Sequence, residues 1–395
     1  MPATSDDPSS MNQYSYEKEQ RLLQHLMETV DTDEEYLDAD SDLDEEPNLE
    51  QGEEGQLNHE QDDSPSRESS EEDIATASRN SLTFVGKDKQ TRWKKISPMP
   101  RTTKTRSENI VKVLPGPSRL TKNFKSPLEI WKFFFCDEII NIIVVYTNKM
   151  IETVQASFSR DRDANFTDSE EIYALLGLLY LAGKYRASHL NLDDLWKADG
   201  SGIEIFRLVM SLRRFRFLMR VIRFDDKTTR QDRVKIDKLA PIREIFDLFI
   251  EKCRQGYHHS EYVTIDEMLL GFRGHCSFRQ YIPSKPNKYG IKVLAMCDAR
   301  MYYTSNMEIY VGLQPEGPYR VSNSGQDVVM RLSRYIQGSK RNITMDNWFT
   351  SVPLFRLLYT YKLTAVGTIR KNKRELPIEF SSPETRPPKS ICFNS

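Results

Sequence analysis

The chain is poor in cysteine, with 5 in 395 residues. Cys136, Cys253, Cys276, Cys297 and Cys392 form no Cys-x-x-Cys pair, and none lies near a histidine at metal-ligand spacing. Neither a cysteine-based zinc cluster nor any other zinc is therefore expected. There is also no secretory leader and no apolar run of spanning length, which predicts reduced thiols, an intracellular location and no membrane partner. Basic residues are nearly missing from positions 1–78, which hold 3 Lys+Arg against 25 Asp+Glu, a net charge of −22. The same stretch lacks the apolar content to bury a core and reads as an acidic disordered tail. Within it, Leu22, Leu23, Leu26, Met27 and Val30 fall at helical spacing, as a short partner-binding or transient helix would require.

The positive charge is found further on. Residues 79–125 carry a net +11 and residues 126–395 a net +9, so the near-neutral total hides a basic body. Such a body suits a polyanionic partner, or is a solvated surface. Residues 79–125 are punctuated by Pro98, Pro100, Pro115 and Pro117 and read as a basic linker. Lys94-Lys95 and Lys104-Thr105-Arg106 would suit nuclear import or a phosphate-contacting arm as well as an ordinary linker.

From Pro127 the apolar period is helical. Leu128, Trp131, Phe134 and Phe135 open a helix that Ile139, Ile140, Ile143 and Val144 continue. Thr167–Gly183 is a second, with Asp168 as its cap and Glu171 as the capping partner. Ser211–Phe224 is a third, with Leu212, Phe215, Leu218, Met219 and Ile222 on one face and five arginines elsewhere, suited either to a DNA backbone or to solvent. Pro241–Cys253 is a fourth, with Pro241 in its first turn. After Tyr257 the period changes to strands: Tyr262–Asp266, Gly290–Asp298, Met301–Gly312, Asn342–Asp346 and Leu363–Ile369. Helices at Gly325–Gly338 and Val352–Tyr361 separate the later ones. This order predicts an α/β fold, a ribonuclease H-like mixed sheet with helices against it, preceded by an all-α region. In such a sheet the first and fourth strands are neighbours, which would bring Asp266 and Asp346 together.

Two strand-end aspartates are a natural start for a metal site. Phosphodiester cleavage needs an activated oxygen and a stabilised leaving oxygen, and Mg²⁺ pairs provide both through hard oxygen ligands. Taken singly, each aspartate could equally end a strand and begin a turn. Their surroundings favour chemistry: Arg273, Arg279, Lys285, Lys288 and Lys292 alternate with Phe272, Phe278, Tyr281 and Tyr289, and Arg370-Lys371-Asn372-Lys373-Arg374 follows the fifth strand. Trp348 suits the core better than base stacking.

Thr264-Ile265-Asp266-Glu267-Met268-Leu269-Leu270-Gly271-Phe272-Arg273-Gly274 resembles the first catalytic motif of piggyBac-type transposases. Tyr281–Lys292 resembles the segment after it, and Arg341–Ser351, with Asp346, Asn347 and Trp348, resembles the second motif. Val366–Glu375 is similar to the end of the fifth strand and its basic turn. The resemblance implies cut-and-paste chemistry on double-stranded transposon-end DNA at TTAA targets, an aspartate triad with Mg²⁺ or Mn²⁺, a homodimer and a nuclear location. On it, Asp266 and Asp346 are the catalytic and metal-binding candidates, and Arg273, Lys285, Lys288, Lys292, Asn347, Arg370, Lys373 and Arg374 the DNA-binding ones. The expected organisation is an acidic tail at 1–78, a basic linker at 79–125, a helical dimerisation and DNA-binding domain at 126–260, an incomplete catalytic core at 261–374 and a truncated insertion at 375–395.

The third aspartate of the family pattern is missing. Glu375, Glu379 and Glu384 are the carboxylates left after the fifth strand, in a Pro-rich stretch with no helix to aim them. The two-metal site is therefore expected to be incomplete and the chain inactive by itself. The alternatives are a catalytically dead DNA-binding or partner-binding protein and a remnant whose sheet leaves apolar surface open.

Overall fold

The computed structural model describes residues 83–94, 110–187, 190–380 and 393–394. The acidic tail with Leu22–Val30, the Lys104-Thr105-Arg106 run and Glu384 lie outside these residues. All of the described residues belong to one unit, Leu82–Ser395.

The first described elements fall where a linker was expected. Strands β1 (Thr83–Val85) and β2 (Arg92–Lys94) pair antiparallel. Strand β3 (Gly116–Pro117) later pairs with β4 (Tyr257–His258), so residues from both parts of 79–125 are tied into the fold. Phe84 and Trp93 are the physical reason for the hairpin: each packs edge-on against Phe380 with ring centroids 5.5 Å apart.

The helical body begins at α1 (Pro127–Phe134), where Ser126 and Glu129 form a reciprocal capping box. The single long helix expected here is two. Phe135 leaves helical geometry at φ −97°, ψ 68°, and Cys136 is extended before α2 (Asp137–Gln155) starts. Helix α3 (Ser169–Lys184) is capped by Asp168 as expected, its side chain accepting from Glu171 N at 2.9 Å. The Glu171 carboxylate does not return to the cap; it accepts from Thr167 Oγ1 at 2.6 Å and pairs with Arg214.

Three helices here had no apolar period to announce them: α4 (Leu192–Leu195), α5 (Glu204–Val209) and α7 (Lys227–Val234). Two are shorter than two turns, and α7 buries no residue. Between them, α6 (Leu212–Val221) buries Phe215, Phe217, Leu218 and Val221 and exposes Met219. Its arginines are largely committed within the fold. Arg213 pairs with Asp163 at 2.7 Å, Arg214 with Glu171 at 2.6 Å and Arg216 with Asp193 at 2.8 Å.

Helix α8 (Arg243–Gly256) starts just after Pro241 and joins the helices to the sheet. Tyr303 OH donates to Cys253 O at 2.7 Å, and Arg254 donates twice to Asn306 Oδ1. The sheet contains β5 (Tyr262–Gly271), β6 (Gln280–Tyr281), β7 (Tyr289–Asp298), β8 (Thr304–Ile309), β9 (Asn342–Met345) and β10 (Thr364–Gly367). Its order is β10-β9-β5-β7-β6, with β8 also on β7; β5, β9 and β10 are mutually parallel, and β7 is antiparallel to β5 and β8. Helices α9 (Gly325–Leu332) and α10 (Val352–Thr360) contribute Val328, Val329, Leu332, Leu354 and Leu358 to a core shared with Val263, Ile265, Ile343 and Met345. A mixed sheet of this order with helices against it is the expected α/β, ribonuclease H-like arrangement. Strand β11 (Phe393–Asn394) closes the chain by pairing with β2. Among the described residues, no helix is long and apolar enough to cross a membrane.

Candidate metal and DNA site

Parallel pairing of β5 with β9 builds the site. Thr264 stands opposite Thr344 and Ile265 opposite Met345, the last pair before β9 ends. One step further in the same register are Asp266 and Asp346. Val263, Ile265, Ile343 and Met345 face the core, so strand alternation turns Asp266 and Asp346 to the opposite face, where both are exposed. Asp266 is not at a strand end, as expected, but midway along a ten-residue strand, because β7 pairs with β5 all the way to Gly271. What ends beside it is the neighbouring strand.

Asp346 opens the turn into α10. Its Oδ1 accepts from Trp348 N at 2.9 Å, and its carbonyl accepts from Thr350 N at 3.2 Å and Thr350 Oγ1 at 2.6 Å. Asp266 Oδ1 accepts from Glu267 N at 2.8 Å. The Asp266 carboxyl is raised from its ordinary value, first by desolvation and then by the charges of Glu267 and Asp346, against opposing pulls from the Glu267 N–H bond and from Lys285. A carboxyl whose ionisation is made costlier by neighbouring negative charge is a fit for a hard divalent cation, which would relieve that repulsion. Among the described residues, no group of three or more His, Cys, Asp or Glu side chains could hold a metal, so Asp266 and Asp346 stand as a pair. Glu267 is committed to Lys285 at 3.1 Å. Glu375 and Glu379 lie beyond β10, the latter in a short 3₁₀ turn (Ile378–Phe380) that sequence reading did not foresee.

The basic candidates divide by position. Asn347 and Arg370 meet beside Asp346, with Arg370 Nε donating to Asn347 Oδ1 at 3.3 Å. Lys285 reaches the Asp266 neighbourhood through Glu267. Lys292 lies over two rings, Tyr310 and Trp348, each at 5.3 Å, so it steadies the turn after Asp346. Trp348 is half-buried against the core, as expected. Arg273 and Lys288 are exposed, and Arg279 braces the loop between β5 and β6 by donating to Arg273 O and Gly274 O at 3.1 Å each. Lys373 is half-buried and Arg374 exposed in the turn after β10.

Two structural features around the site were missed. The first is the β1–β2 hairpin, docked on that turn, whose signal was a pair of short β-prone runs around Gly86 and Asp88. The second is Arg341, buried and donating to His259 O at 2.7 Å and Ser260 O at 2.9 Å. It binds the start of β9 to the residues before β5, and no local pattern marks it.

A DDE-type family model described as "Transposase IS4" matches residues 126–395. The human PiggyBac transposable element-derived protein 3 is 24% identical over 260 residues, covering 65% of this chain and 42% of that protein. The human chimeric ERCC6-PGBD3 protein is likewise 24% identical over 260 residues, 23% of its length. The chain thus spans less than half the length of these curated relatives. A solved piggyBac transposase, in a cryo-EM synaptic complex with hairpin DNA, is similar at 43% identity with a TM-score of 0.64, covering 70% of this chain and 57% of that one. DDE-type enzymes use divalent metal in general, in keeping with the two carboxylates. A family match over most of the chain, on a sheet that sets Asp266 beside Asp346, means that this protein belongs to the Transposase IS4 family, in its piggyBac-type, transposase-derived form.

Proposed function

We propose that the protein binds double-stranded DNA ends along the edge marked by Asp266, Asp346, Asn347 and Arg370. The observation that carries this is the register of β5 against β9, which sets two carboxylates side by side on an exposed face next to a basic turn. Asp266 and Asp346 would hold a divalent cation, Mg²⁺ or Mn²⁺, which when bound would polarise a phosphate and activate an oxygen nucleophile. The chain's own residues orient the DNA. Arg370 and Asn347 lie beside one carboxylate, and Arg273, Lys285, Lys288, Lys292, Lys373 and Arg374 supply positive charge to its flanks. By family resemblance the reading extends to transposon ends, a TTAA target, dimerisation through the helices and action in the nucleus. The solved relative's complex with hairpin DNA supports the DNA binding.

Cutting is a separate matter. A complete two-metal site needs a further carboxylate, and misplacing a reacting group by about 1 Å costs on the order of 100-fold in rate. Residues Asp266 and Asp346 alone are expected to support binding without efficient cleavage. The purified chain, mixed with labelled end duplex and Mg²⁺ or Mn²⁺, should retard the DNA at low salt and leave it uncut. Divalent-dependent nicking that disappears in Asp266→Ala would overturn the binding-only reading. Absence of any retardation at low salt would sink the DNA reading altogether.

A further inference from the structure

Docking of the β1–β2 hairpin brings a second set of cations to the basic turn after β10. The tip is closed by Gly86 N donating to Thr91 O at 2.7 Å, and Lys89 stands there at φ 57°. Four hydrogen bonds fasten the hairpin to the backbone of the turn. Asp88 N donates to Arg374 O at 2.8 Å, Lys87 N to Leu376 O at 3.2 Å, Lys87 Nζ to Lys371 O at 3.0 Å and Trp93 Nε1 to Glu375 O at 2.8 Å. A Cβ at Gly86 would stand 2.6 Å from Glu375 O, so close docking requires glycine there.

This docking gathers Lys87, Lys89, Lys371 and Arg374, all exposed, from opposite ends of the described chain. Backbone bonds hold these like charges together, and with Asp88 and Glu375 counted, residues 86–91 and 370–376 still carry a net +4. Asp88 spends Oδ1 on Gln90 N and Thr91 N and Oδ2 on Thr91 Oγ1. The partner that suits such a cluster is an anion with several evenly spaced charges. The turn's other end, Arg370, already touches Asn347 beside Asp346. A DNA strand, with one charge every ~3.4 Å, runs naturally from one to the other.

We infer that the hairpin tip is a second phosphate-contacting limb of the DNA surface, docked on the Arg370–Arg374 turn so that Lys87 and Lys89 extend it. This inference rests on the DNA reading above. The test is fluorescence anisotropy of labelled duplex with the full chain across a NaCl series. Lys89→Gly removes the cation and leaves a residue that suits positive φ, so the fold is undisturbed. Its plot of log affinity against log salt should be shallower by about 0.9, the loss of one phosphate contact. Gly86→Ala, checked for folding by thermal melt, should undock the tip and flatten the slope at least as much. An unchanged slope in Lys89→Gly, while Arg370→Ala still weakens binding, overturns the inference and leaves the DNA reading standing. No binding by the unmodified chain overturns both.

Discussion

Asp266 shows at the residue scale how a candidate metal ligand costs a fold stability. Its carboxyl is raised by desolvation and by Glu267 and Asp346. A folded pKa above the unfolded one means that stability falls as pH rises through the carboxylate range and stays lower at neutral pH. Asp266→Asn should therefore melt higher than the parent at pH 7 and lose any stabilisation by Mg²⁺, both readable by thermal scans with and without metal. His259 titrates the opposite way. It is 2% exposed, its Nε2 bonds Tyr335 OH, and that hydroxyl donates on to Ser305 Oγ. Burial first, then the Arg341 charge, pushes its pKa from 6.5 down to about 4, with Asp298 pulling the other way. The unfolded imidazole takes a proton across this window while the folded one does not, so stability is lost as pH falls from about 6.5 towards 4. The loss is on the order of 3 kcal/mol. Denaturant midpoints at several pH values would measure it, and His259→Gln should flatten the step. Gly367 is required by close packing: a Cβ there would lie 2.8 Å from Met345 O and collide with Thr350 Oγ1. Gly367→Ala should cost about 1–3 kcal/mol by urea unfolding.

Among the elements, legibility followed the strength of the local pattern. β5, β7 and β9 were foreseen because alternation and β-branching are local signals, and α3 because Asp168 and its apolar period both are. The extent of β5 was not, since pairing with β7, rather than β5's own residues, carries it past Asp266 to Gly271. The arginines of α6 looked equally fit for DNA or solvent, and the structure commits Arg213, Arg214 and Arg216 to acids on other elements. At this scale the site rests on the β5–β9 core. Ile265 and Ile343 are fully buried, one position before Asp266 and three before Asp346. Ile343→Ala should cost about 2–5 kcal/mol and weaken DNA retention in parallel, seen by comparing melts with gel shifts. Ser126→Ala, by contrast, removes a cap on the far side of the chain's order and should cost about 1 kcal/mol with DNA affinity unchanged.

For the whole molecule, the decisive feature is a register. Arg341 donates to His259 O and Ser260 O, Asn342 N donates to Glu261 O, and Arg341 O accepts from Thr364 N. Together these hold the starts of β5, β9 and β10 level, and a slip of one residue would send Asp346 to the core face. Arg341→Ala strands two buried carbonyls and should cost roughly 2–4 kcal/mol. Hydrogen exchange should accelerate first along β9. By itself the sequence determined the main helices and strands, the neighbouring of the first and fourth strands and the two aspartates, because periodicity, capping and motif spacing act over neighbouring residues. Tertiary structure decided that Asp266 and Asp346 sit in adjacent register on one face, and that a segment read as linker docks on the basic turn. Both depend on hydrogen bonds and packing between residues distant in the chain, which no local pattern encodes.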